Sequence, residues 1–186
     1  MALPTRHQPT LAGVGVGPGD PEHVTVKAVR VLEAADVILV PSTEASGADA
    51  GRAEQIVLAA CPTAAGRLRR VPFAMAQRTG VGAERRAAWE ASAQAAVEAF
   101  DAGAALVAFA TVGDPSVYST FSYLAARVRA AVPDVAVSVV PGVTAMQALA
   151  AASLTPLVEG RESLTLVPVT AGLDALEAAL DTSDTV

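Results

Sequence analysis

With 186 residues, a formal charge of −6 at pH 7 and a pI near 4.8, the chain is long enough for one good core or two small ones, and its acidity argues against wrapping a nucleic-acid backbone. The 52% apolar content is inflated by alanine, and no run of about 18 uncharged apolar residues offers a membrane span. A single cysteine, Cys61, excludes an internal disulfide, and His7 and His23 are too few soft ligands for a zinc site, so no metal is expected on the protein itself.

In chain order, residues 1–10 carry Arg6 and His7 but lead into no apolar segment, so they are expected to be a loose extension and not a signal peptide, with the cytoplasm as the expected location. Short apolar runs at 14–17 and 36–40 enclose a segment with apolar residues at Val24, Ala28, Val31 and Leu32, the spacing of one helical face. This is a βαβ unit. The alternation continues with a helix over 50–60, a strand over 68–73, a helix over 83–100 and a strand opening at Ala104. Beyond Gly113 it resumes as a helix to Ala131, a strand over 135–140, a helix over 143–151, a strand over 163–169 and a helix over 173–180. Such alternation predicts an α/β protein whose parallel sheet is covered on both faces. The pattern breaks near Asp114, giving an N-terminal α/β domain over 11–113 and a second α/β domain over 114–186. With about 70 residues and two clear strands, that second unit is too small to bury a sheet alone and is expected to be incomplete at its C-terminus.

The glycines after the first strand pose a choice. A dinucleotide fingerprint needs G-x-G-x-x-G at the turn into the first helix. Counting from Gly13 puts Pro18 in the place of the third glycine, and counting from Gly15 puts Asp20 there, so the fingerprint fails. Instead Gly13, Gly15, Gly17 and Gly19 surround Pro18, and Asp20-Pro21-Glu22 reads as a helix start with Asp20 at the N-cap, an acidic end that repels a pyrophosphate. A second loop, from Ala110 to Thr120, also follows a strand and precedes a helix, so in a parallel sheet it opens on the same carboxyl edge, where ligands of such folds bind. There Gly113 admits close backbone approach, Asp114 either accepts from a ligand or starts the helix, and Ser116, Ser119 and Thr120 offer hydroxyls. A third loop puts Pro141-Gly142 and Thr144 at the next helix start. Separately, Arg67, Arg69, Arg70, Arg78, Arg85 and Arg86 are 6 of the 13 basic side chains. They read either as a solvated face with helix partners or as a clamp for a small polyanion.

The loops "GVGVGPGDPEHVTVKAVRVLEAADVI", "ATVGDPSVYSTFSYLA" and "VVPGVTAMQALAAASLTPLVEG" resemble, in order and spacing, the tetrapyrrole (corrin and porphyrin) methylase family. Within it they look most like the precorrin-2 C20-methyltransferases of cobalamin biosynthesis, through "GDPSVYSTFSYLAARV". The resemblance runs from about Leu11 to the last residue. It implies a two-domain α/β fold, a homodimer, S-adenosylmethionine bound in the cleft between domains with S-adenosylhomocysteine as product, and a tetrapyrrole as methyl acceptor. Carried over position by position, the cofactor contacts are Val112, Gly113, Asp114, Val117, Thr144 and Ala145, with Pro18 at the cleft edge; Val112 stands where the family pattern often has glycine. Asp20 is the acid to test as acceptor of the proton lost from the methylated carbon, against its N-cap role. Arg67, Arg69 and Arg70 are the candidates for the acetate and propionate groups of the substrate. Neither nucleic acid nor membrane is expected as a partner. Competing readings are a cobalt-loaded substrate, a uroporphyrinogen III-type reaction, a nucleotide-dependent α/β enzyme disfavoured by Pro18 and Asp20, and a fragment that holds cofactor or tetrapyrrole without turnover.

Overall fold

The computed structural model describes residues 8–42, 49–74 and 82–186. Strands β1 (Thr10–Gly15), β2 (Val37–Ser42), β3 (Leu68–Pro72), β4 (Leu106–Thr111) and β5 (Ala136–Val140) alternate with helices α1 (Val26–Ala34), α2 (Arg52–Ala60), α3 (Ala83–Asp101) and α4 (Phe121–Ala131). The strands form one parallel sheet in the order β3-β2-β4-β1-β5. Side chains alternate across it. Ala12, Val14, Ile38, Val40, Ala108 and Ala110 pack with Ala28 and Leu32 of α1 and Ile56 and Val57 of α2. Leu11, Leu39, Val107 and Phe109 face the other way, onto α3 and α4. The near-continuous apolar runs of β1, β2 and β4 follow from burial on both faces, as expected of a parallel sheet. Asp36 fixes the start of β2 against β4, its carboxylate accepting from the backbone N–H of Ala105 and Leu106 at 2.8 Å each.

Four expectations need correction. Residues 8–10 are not a loose extension, because Pro9 accepts from the Ala136 N–H and Thr10 donates to Ala105, both at 2.8 Å, tying them to the sheet; Met1–His7 lie outside the described residues. The first α-helix does not begin at Pro21. Asp20 caps a single 3-10 turn (Pro21–His23), after which Thr25, accepting from the Ala28 N–H at 3.1 Å, caps α1. The pause at Asp114 is not a break between sheets: α4 packs on α3, with Trp89 and Tyr123 stacked at 4.0 Å between centroids, and β5 lies beside β1. Finally, residues 163–169 form no strand. Pro168 cannot donate to a ladder, and the segment makes only an isolated bridge, Leu164 to Thr185. The chain after β5 consists of α5 (Ala145–Ser153), that bridge, a 3-10 turn over Val169–Ala171 and α6 (Leu173–Leu180).

Among the described residues, no helix is long and apolar enough to cross a membrane.

Candidate functional site

Strand order explains why the three glycine loops meet. β4, β1 and β5 are neighbours, so the loops that leave their carboxyl ends emerge side by side. They touch through backbone. The Gly113 N–H donates to the Gly17 carbonyl at 2.8 Å, and the Val16 N–H to Thr111 at 3.0 Å. A Cβ added at Gly15 would stand 2.6 Å from the Gly113 oxygen and 2.7 Å from the Gly142 nitrogen, and one at Gly142 would overlap the Gly113 oxygen. Gly17 and Gly113, at φ +75° and +72°, occupy the left-handed region that suits glycine. Gly15 and Gly17 therefore serve loop-on-loop contact.

Asp114 is the knot between two of these loops. Its carboxylate is buried and accepts from the backbone N–H of Ser116 at 2.6 Å and of Gly142, 28 residues on, at 2.9 Å. The third loop ends in a capping box. Thr144 Oγ1 accepts from the Gln147 N–H at 3.4 Å, while Gln147 Oε1 accepts from the Thr144 N–H and hydroxyl at 2.9 Å each. This box starts α5 and fixes Thr144 and Ala145 at the loop mouth.

Among the described residues, a smaller and a larger cavity open on the carboxyl edge. The smaller, about 270 Å³, is lined by all seven positions expected to hold a cofactor, Pro18, Val112, Gly113, Asp114, Val117, Thr144 and Ala145, joined by Tyr118, Met146 and Leu166. The larger, about 480 Å³, lies beyond β2 and β3 and is lined by Arg52, Phe73, Thr111, Ser119 and Thr120 among others. Val112 and Tyr118 line both. The smaller cavity fits an S-adenosyl group chemically. Its walls are largely apolar, its Asp114 carboxylate is already satisfied by two N–H groups, and a Cβ at Gly113 would meet nothing within 4 Å, so space beside that backbone is open. Apolar walls with a few fixed polar groups are the usual composition of a small-ligand pocket.

The remaining expected site residues lie elsewhere. Asp20 is exposed, accepts from the Glu22 N–H at 2.9 Å and lines neither cavity. Arg67 donates to the Leu32 and Glu33 carbonyls at 3.0 and 2.8 Å and to Ala35, closing the C-terminal end of α1. Arg69 pairs with Glu98 of α3, and Arg70 grips Glu54 of α2 bidentately at 2.7 and 3.0 Å. These three arginines are thus committed to holding helices against the edge strand, and Arg78 lies outside the described residues. Arg52, Tyr118, Met146 and Leu166 were not singled out from sequence. Arg52 and Tyr118 were within reach, since each sits where a strand hands over to a helix on the carboxyl edge, whereas Met146 and Leu166 carry no signal.

The model of the tetrapyrrole (corrin/porphyrin) methylases matches residues 10–186. Cobalt-precorrin-2 C(20)-methyltransferase of Salmonella typhimurium is 30% identical over 95% of this chain and 70% of its own length. Precorrin-2 C(20)-methyltransferase of a Sinorhizobium species is 35% identical over 86% of this chain and 64% of its own. Among solved structures, uroporphyrin-III C-methyltransferase of Thermus thermophilus, complexed with S-adenosylhomocysteine, aligns with a TM-score of 0.55 at 27% identity, covering 83% of this chain and 53% of that one. The chain therefore spans between about half and 70% of the length of these proteins. It belongs to the tetrapyrrole methylase family.

Proposed function

We propose that the chain is the S-adenosylmethionine-binding part of a C-methyltransferase that acts on precorrin-2 at C20 during corrin-ring synthesis. The observation that carries this is the convergence of the β1, β4 and β5 loops on one small cavity lined by Pro18, Val112, Gly113, Asp114, Val117, Thr144 and Ala145. The Salmonella and Sinorhizobium relatives support the choice of C20 by their names. When bound, the cofactor supplies an electrophilic methyl group on a sulfonium. The protein's own contribution is placement and exclusion of water, which such a displacement needs more than a strong base. Val112, Gly113 and Asp114 form one side of the cradle and Thr144 and Ala145 the other, with Asp114 locking the two sides at a fixed separation. The larger cavity takes the flat, acidic acceptor, and Arg52 at its wall is the cation that meets a peripheral carboxylate. A second copy is expected to complete a homodimer, as the family resemblance implies.

Incubating the chain with S-adenosylmethionine and either precorrin-2 or its cobalt complex, and following a mass gain of one methyl group, tests this reading. Methylation of the metal-free arm places it with the Sinorhizobium relative, and of the cobalt arm with the Salmonella one. Methylation of uroporphyrinogen III instead would replace the C20 assignment with another reaction of the family.

A further inference from the structure

The boundary between the two cavities runs along two short stretches of chain. From β4 onward, Thr111 lines only the larger cavity, Val112 both, and Gly113 and Asp114 only the smaller. In the opposite sense, Val117 lines only the smaller, Tyr118 both, and Ser119 and Thr120 only the larger. An acceptor in one cavity and a donor in the other meet across Val112 and Tyr118. Tyr118 has two further properties. Its backbone sits at φ +55°, a left-handed conformation that a bulky side chain adopts only where its surroundings impose it. They do so here: the Ser116 N–H is held by the Asp114 carboxylate, and the Ser119 hydroxyl accepts from the Phe121 N–H at 3.2 Å, so the chain must turn between two anchors. The Tyr118 hydroxyl also lies 2.8 Å from that of Thr170, 52 residues away in the turn before α6. This tether holds a residue that is 66% exposed.

We propose that Tyr118 is a positioning residue for methyl transfer: tied to Thr170, its ring is the shared wall that sets how an acceptor in the larger cavity faces the donor in the smaller one. The proposal rests on the methyltransferase reading. Tyr118→Phe keeps the ring and cuts the tether, and Thr170→Val cuts it from the other end. Each is expected to lower kcat about tenfold, the scale of a sub-ångström misplacement, with KM, melting temperature and S-adenosylhomocysteine affinity within about twofold or unchanged. The double variant should be no slower than either single, because both remove one interaction. Tyr118→Gly relieves the backbone and removes the wall, so it should melt no lower than the parent yet transfer methyl more slowly than Tyr118→Phe. Unchanged kcat in Tyr118→Phe, or parental kcat in Tyr118→Gly, overturns the proposal and leaves the methyltransferase reading standing. The same point is read without turnover by comparing uroporphyrin affinity for the free and the S-adenosylhomocysteine-loaded chain. A difference present in the parent and absent in Tyr118→Phe supports the wall, and equal behaviour of the two overturns it. A folded parent that does not bind S-adenosylhomocysteine overturns both readings.

Discussion

Replacing Gly15 by alanine puts a methyl group where three atoms of two other loops already stand: the Gly113 oxygen at 2.6 Å, the Gly142 nitrogen at 2.7 Å and the Gly142 Cα at 2.8 Å. All three are backbone, so no side chain can swing aside. The loops can separate only by stretching what joins them, which includes the Gly113 to Gly17 bond and the grip of Asp114 on the Gly142 N–H. Overpacking of this kind costs about 1–3 kcal/mol, and the rigid neighbours place this case near the upper end. At roughly 2–4 °C per kcal/mol for a chain of this size, melting should fall by about 6–12 °C. Gly19→Ala is the control. Its Cβ would meet nothing within 4 Å, so its effect should stay within the roughly 0.5 kcal/mol of an open surface site. Thermal unfolding followed by circular dichroism, paired with S-adenosylhomocysteine titration, reads both consequences. If Gly15→Ala melts with the parent, or if it and Gly19→Ala fall equally, the loop-contact argument is wrong.

Other residues give sharper or simpler tests. Asp114→Asn keeps the shape but turns one acceptor oxygen into a donor facing a backbone N–H; a cost of about 1–3 kcal/mol and a clear loss of S-adenosylhomocysteine affinity are expected by calorimetry, and parental binding would remove Asp114 from the cradle. Thr144→Ala loses the capping box, with an expected cost of about 1 kcal/mol in urea unfolding, whereas no change would mean that the cap is not a stabilising element. The Glu98 carboxyl is held below its ordinary 4.5 by the hydrogen bond from Arg69 foremost and that from Gln94 second. A depressed carboxyl stabilises the fold above its unfolded value and loses that contribution as pH falls through the folded one. The parent should therefore lose melting temperature more steeply than Glu98→Gln below about pH 4.5, and parallel acid limbs would show that the pair adds nothing. Asp20→Asn should leave any methyl transfer intact, since Asp20 lines neither cavity; a collapse of kcat would restore it as the proton acceptor.

How much of this was legible depends on the range of the interaction. The central strands show in apolar runs such as Leu106–Ala110, because β1, β2 and β4 are buried on both faces, whereas the edge strands β3 and β5 are largely exposed. The residues that line the smaller cavity were readable from the strand-to-helix loops and the family motifs, since each loop is a local unit of chain. What failed was non-local. Glu54, 16 residues from Arg70, and Glu98, 29 from Arg69, lie on other elements, as do the α1 carbonyls that Arg67 closes. Arg67, Arg69 and Arg70, neighbours in sequence, thus each engage a different helix. The pause at Asp114 looked like a domain boundary because a parallel sheet does not reveal strand order, and β5 returns to the far side of β1. Pro21 is a good first helical residue, yet the extended Val24 and Thr25 that follow let the chain restart with a better cap.

Calorimetric titration of the chain with S-adenosylhomocysteine, with NAD as control, tests the central claim most directly. The account predicts one site for S-adenosylhomocysteine, lost in Gly142→Val, whose side chain would displace the Gly113 carbonyl, and no heat with NAD. Equal binding of both ligands, or no binding of S-adenosylhomocysteine by a chain that unfolds cooperatively, would contradict it.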